Sequence, residues 1–186
     1  MNYLIRDVVW TQKTDSQSGK RFSIRVKNGV VSELAETLNP EPDEMVFDGK
    51  NASISPGWID LMARPGAPGN PQNESISSFS RAAAAGGFTR VMVLPDTRPV
   101  LESIEGVTFY KEQKTENGVQ FLVCAAATQN LEGKKMAESL RLRQAGASAF
   151  SNLQSPDDAG FMARLLQYLK HGDNQLIEIP LDNALS

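Results

Sequence analysis

Cysteine occurs once in the 186 residues, and so does histidine. The lone Cys124 excludes an internal disulfide framework and fits a reducing compartment. The lone His171 excludes a zinc site built mainly of histidines. Basic clusters are missing as well. The 19 Lys and Arg stand against 22 Asp and Glu, a net charge of −3, with no concentrated run to meet a nucleic acid. No apolar run approaches the ~20 residues that span a bilayer. The opening MNYLIRDVVW carries Arg6 and Asp7 too early for a secretory leader. Gly57, Gly66, Gly69, Gly86 and Gly87 match neither a dinucleotide fingerprint nor a Walker loop. These absences predict a soluble cytoplasmic protein with no nucleic-acid and no membrane partner.

Two rhythms are present. Residues 1–54 read as short strands and turns: YLIRDVVW, a polar loop at 13–21, and FSIRVKNGVVSELA with Asn28-Gly29 as a hairpin turn. From residue 55 onward strands alternate with helices. Strands are expected at 58–62, in FTRVMVLP, in VQFLVCAAAT, in ASAFSN and in QLIEIPL. Helices are expected at 74–85 (capped by Asn73 or Ser75), from Ser103, across GKKMAESLRLRQAG, and from Ser155-Pro156-Asp157-Asp158, a start with a cap and a proline in the first turn, beyond which Met162, Leu165, Leu166 and Leu169 form a stripe. About five strands and four helices in alternation imply parallel βαβ units, in either a doubly wound sheet or a (β/α) barrel. A closed barrel takes ~250 residues, so a barrel here is expected to be incomplete.

Several stretches carry a resemblance. SPGWIDL at 55–61, RAAAAGGFTRVMVLPDTRPV at 81–100, AATQNLEGKKMAESLRLRQAGASAFSN at 126–152 and LIEIPLDNALS at 176–186 resemble, in order, the dihydroorotase family of the amidohydrolase superfamily. The resemblance implies an α/β fold: a small β-sandwich unit at 1–54 and, at 55–186, the first half of an amidohydrolase-type (β/α)8 TIM barrel. It also implies cyclic-amide hydrolysis in pyrimidine biosynthesis, with zinc in active relatives. The positions that carry that chemistry differ in this chain. Where the family's first barrel strand ends in His-x-His, this chain has Met62 and Arg64. A neutral Asn152 stands in place of the aspartate metal bridge, and Ile179 in place of the strand-five histidine. The substrate-binding arginine is replaced by Gly66, and the substrate-binding asparagine by Asp96.

The expected outcome is a catalytically inactive, structural or regulatory subunit that needs no cofactor. Its partner would be a second copy or an aspartate carbamoyltransferase-like chain. Two alternatives stay open. One is an active metal-dependent dihydroorotase acting on dihydroorotate or carbamoyl-aspartate. The other is a binding module for a small anionic metabolite, its pocket drawn from Asp60, Arg64, Asp96 and Arg98. Arg64 is expected to form a structural ion pair with Asp60 or Asp96. His171 is expected to cap a helix end, and Cys124 to be a buried small hydrophobe. Strands three and five are expected to present apolar surface at an open sheet edge.

Overall fold

The computed structural model describes all residues except 12–15, 17, 51, 70, 71, 73, 155, 157, 173 and 180–186. The chain divides into two compact units, Met1–Pro56 and Gly57–Ser186.

The first unit is a single sheet. It contains β1 (Asn2–Trp10), β2 (Arg21–Lys27), β3 (Val30–Ala35), β4 (Glu44–Asp48) and the short β5 (Ser53–Ile54). The order is β3-β2-β1-β4, with β5 also pairing with β1. The β2–β3 turn is Asn28-Gly29, both at positive φ (53° and 78°), as a type I′ hairpin turn requires. This sheet is the part of the expected composite sandwich that the described residues supply. It is one layer, and Val30, Val31, Met45 and Phe47 on the outer strands are exposed.

A buried cation organises this sheet. Arg25 is only 5% exposed. Its Nε donates to Glu44 at 2.7 Å, its Nη2 to the Asn39 carbonyl at 2.6 Å, and its Nη1 meets Glu33 and Glu41. The Glu41 N–H also donates to Glu44. That bond, reinforced by Arg25, holds the Glu44 carboxyl below its usual range. Several carboxylates around one guanidinium satisfy its fork of donors, the condition under which a buried charge is tolerated.

The second unit is a parallel sheet with helices. Its strands are β6 (Trp58–Ala63), β7 (Phe88–Val93), β8 (Gln120–Ala126), β9 (Ala149–Gln154) and β10 (Leu176–Ile179). They pair side by side in sequence order, all parallel. A doubly wound sheet would reverse its order at a switch point. The unbroken order decides for the barrel, present here as its first five strands. The helices are α1 (Ile76–Ala85), α2 (Ile104–Lys111), α3 (Ser139–Ala145) and α4 (Ala159–Lys170).

Strand alternation divides the sheet into two faces. Val91, Val93, Phe121, Val123, Ala125 and Phe150 face the helices and share one core with Val107, Tyr110, Leu142, Phe161, Leu165 and Leu169. Met92, Cys124 and Ala149 form a smaller cluster on the opposite face. Helix boundaries follow local chemistry. Ser75 and Ser78 form a reciprocal cap on α1, Ser103 caps α2, and Asp158 caps α4. The alternative α1 cap, Asn73, and the helix-start residues Ser155 and Asp157 lie outside the described residues.

Three expectations need correction. The stretch 133–138 is not helical. Gly133 sits at φ 69° and Met136 bridges to Thr128, so α3 begins only at Ser139. The α4 stripe runs Phe161, Leu165, Leu169 with Met162 beside it, while Leu166 is exposed. Strand three of the barrel is β8, a central strand whose residues 121 and 123–126 are buried, so it forms no open edge. Strand five, β10, does lie at an edge of the sheet. The opposite edge is β6, where Trp58, Ile59, Leu61 and Met62 are 61, 46, 52 and 46% exposed. His171 behaves as expected: it is the C-cap of α4, its Nδ1 2.7 Å from the Gln167 carbonyl oxygen.

Cys124 is fully buried, and that burial, with the Glu178 carboxylate as a second influence, pushes its thiol up to about 12. The unfolded chain ionises this thiol near its ordinary value, whereas the native state cannot. Stability therefore falls as pH rises from about 9 toward 12. Burial raises Tyr110 in the same direction. At pH 9 the native thiol therefore stays protonated. Thiol-reactive dye at pH 9 should label Cys124 only in denaturant. Native labelling at the rate of a free thiol would contradict this burial.

Candidate functional site

Every strand of a parallel sheet ends on the same side. That side carries the described residues at and after the ends of β6, β7 and β9, and Ile179 at the end of β10, where (β/α) folds build their sites. The local chain explains how each reaches its place.

In β6, the Asp60 carboxylate accepts the Met62 N–H at 2.9 Å. This takes the amide away from the sheet ladder. The β6–β7 register slips at the same place: Asp60 pairs with Val91, but Ala63 with Val93. Asp60 is thus half-buried and serves the backbone of its own strand as a bulge anchor. The ladder then resumes, with Leu94 N–H donating to the Ala63 carbonyl at 3.0 Å. Met62 is left 46% exposed on the edge strand.

The loop after β6 is fixed from two directions. The buried Tyr110 hydroxyl of α2 donates to the Ala67 carbonyl at 2.6 Å. Gly69, at φ 113°, lies against Arg98, where a Cβ would come within 2.9 Å of the Arg98 carbonyl oxygen. Only glycine allows that approach, which brings the loop after β6 against the loop after β7. The second loop is braced by Leu101 N–H to Pro95 O at 3.1 Å and Thr97 Oγ1 to Pro99 O at 2.7 Å.

Between the two loops lies an open cavity of about 520 Å³, with Arg64, Glu74, Asp96, Thr97 and Arg98 among its lining residues. Arg64 Nε donates to Asp96 Oδ2 at 2.7 Å. Of the two carboxylates expected as partners for Arg64, the structure selects Asp96. The pair is partly solvated, so its contribution to stability is small, ~0–1 kcal/mol. Of the four predicted pocket residues, Arg64, Asp96 and Arg98 come together and Asp60 does not. Glu74 and Thr97 were not singled out from the sequence. Thr97 adjoins Asp96 and could have been included, but Glu74 is separated from the loop after β7 by all of α1 and β7.

Asn152 lies at the end of β9 and is 5% exposed. Its side chain is fully engaged. Oδ1 accepts the Thr128 hydroxyl, and Nδ2 donates to the Leu131 carbonyl at 3.3 Å and the Gln154 carbonyl at 3.1 Å. The Asn152 N–H donates to Glu178 Oε1 at 2.7 Å, while burial raises the Glu178 carboxyl above its usual range. Thr128 Oγ1 also accepts the Gly133 N–H at 3.0 Å. Asn152 thus ties the 128–133 loop to the end of β9. Ile179 closes β10, paired with Gln154. Among the described residues, no group of three or more His, Cys, Asp or Glu is placed to hold a metal ion.

No family model matches this chain. Over its whole length it is 31% identical to a dihydroorotase of Bacillus pumilus, covering 43% of that protein. It is 35% identical over 170 residues to a dihydroorotase of Syntrophus aciditrophicus, covering 89% of this chain and 40% of that one. The chain belongs to the dihydroorotase family. It spans about two fifths of the length of these relatives. Among solved structures, the L-hydantoinase (dihydropyrimidinase) of Arthrobacter aurescens matches 95% of this chain at a TM-score of 0.71 and 19% identity, over 40% of its own length. The D-hydantoinase of a Thermus species matches 95% at a TM-score of 0.61 and 20% identity, over 39% of its length. At these identities the likeness is one of fold, and it places the dihydroorotase-family chain on the amidohydrolase barrel.

The Asn152 amide is oriented by two carbonyl acceptors, which an aspartate would turn into carbonyl–carboxylate repulsion. Asn152→Asp should cost about 2–4 kcal/mol. Urea denaturation at pH 7.5 measures it. A loss under 0.5 kcal/mol would mean that the amide bonds are not those described.

Proposed function

We propose that this chain is a non-catalytic member of the dihydroorotase family, a structural or regulatory subunit in pyrimidine biosynthesis. One observation carries the reading. At the strand ends where the resemblance expects metal ligands, the side chains are chemically unsuited or already committed. The Met62 thioether is a poor zinc ligand, and the Arg64 guanidinium, paired with Asp96, cannot be one. The Asn152 amide is neutral, and its polar atoms are spent on Thr128, Leu131 and Gln154. These residues do not fit zinc.

Purified protein should retain no stoichiometric zinc after dialysis and should not hydrolyse dihydroorotate. Met62→His combined with Arg64→His should not restore turnover, because Asn152, Ile179 and Gly66 still lack the remaining chemistry. Chelator-sensitive turnover by the wild-type chain would favour the active-enzyme alternative and end this reading.

The subunit reading includes a partner along β6. An edge strand with Trp58, Ile59, Leu61 and Met62 about half exposed leaves apolar area and a row of unpaired backbone groups. The proposed cover is a second copy, an aspartate carbamoyltransferase-like chain or the rest of a longer polypeptide, burying at least ~1,000 Å². Light scattering at micromolar concentration, alone and with that enzyme, is the check. A compact 20.3 kDa monomer in both samples, binding no hydrophobic dye, would exclude it.

A further inference from the structure

The cavity at the ends of β6 and β7 holds a charge pattern that a purely structural role leaves unused. Arg64 and Asp96 neutralise one another. Arg98 and Glu74 remain, one charge of each sign, lining the same ~520 Å³. Among the described residues neither has an ion-pair partner. Arg64 commits only its Nε to Asp96, leaving the outer nitrogens of its fork available.

We propose that this cavity binds a small zwitterion, a molecule with a carboxylate and a protonated amine a few bonds apart, of the size of a free α-amino acid. The carboxylate meets Arg98 and the open side of Arg64, since a guanidinium fork matches a carboxylate's two oxygens. The ammonium meets Glu74. The four charged side chains sum to zero, and that balance sets the ligand class. A plain anion would satisfy Arg98 but be repelled by Glu74 and Asp96, and a phosphate dianion more so. A plain cation would meet the reverse problem. Only a ligand of both signs satisfies both unpaired groups. The volume lies within the range of small-molecule sites, and the location is the strand end where this fold places ligands. The groups are partly solvated and the ligand has few atoms, so affinity should be weak, with a Kd on the order of 1 mM. The inference goes beyond the proposed role and does not depend on it, because amino-acid binding and dihydroorotate turnover are separate measurements.

Calorimetric titration of the full chain with L-alanine tests this, with propionate, ethylamine and inorganic phosphate as single-charge controls. L-alanine should bind at least tenfold more tightly than each control. Arg98→Met and Glu74→Gln should each weaken it tenfold or more. Circular dichroism should show both variants folded, since neither side chain makes a described hydrogen bond. The control series on the wild-type chain stands even if a variant fails to fold. Equal binding of propionate or phosphate would overturn the zwitterion assignment in favour of a plain anion site. No measurable binding of L-alanine at 20 mM, or unchanged affinity in both folded variants, would overturn the site itself.

Discussion

The parallel ladder from β6 to β10, taken in strict sequence order, is the constraint from which the rest of the second unit follows. Each crossover must return the chain to the same starting edge, so every helix is drawn against the helix-facing side of the sheet. Tyr110, Leu142, Leu165 and Leu169 then share one core with Val93, Val123 and Phe150. The same constraint gathers Arg64, Asp96, Asn152 and Ile179 at one end, although 115 positions separate the first from the last. Chemistry at that end is decided by side chains the ladder does not need for its own stability, which is why the fold can persist while they change.

The charges described at that end are balanced within the protein. A metal site concentrates anionic or neutral lone pairs around a cation. Here a protein cation, Arg64, is met by a protein carboxylate, Asp96, across two loops. Nearby, Asn152 turns its amide toward the Thr128 hydroxyl and two carbonyls, fastening a loop to β9. Both devices use ordinary pairing to settle polar groups. Neither asks for an external ion, and each contributes modestly because the first is solvated and the second replaces bonds to water.

Membership of the dihydroorotase family and the barrel architecture were legible because they rest on long, ordered features: strand–helix alternation and several quoted stretches in the right sequence. The cap residues Ser75 and Ser103 were legible for a local reason, since a cap is written within three residues; Pro156, expected in the first turn of α4, instead precedes a helix that Asp158 caps. The α3 start was not. GKKMAESLRLRQAG has largely helix-forming composition, but the Thr128–Met136 bridge keeps its first part out of the helix, and no local propensity reports a tertiary bridge. Leu166 was misplaced because a stripe can be drawn through either 162–166–169 or 161–165–169, and only packing chooses between them.

The sequence by itself determined the parallel α/β class, the small β unit ahead of it, the hairpin at Asn28-Gly29 and the chemical character of each strand end. Each depends on a residue's own type or its near neighbours. Tertiary structure alone decided which carboxylate neutralises Arg64, and that Glu74 shares a cavity with Arg98. It also revealed that Asp60 anchors a bulge and that β8 is central while β6 lies at the edge opposite β10. Those outcomes depend on which strands lie side by side and on how closely Gly69 lets two loops approach, and such distances exist only once the ladder has formed.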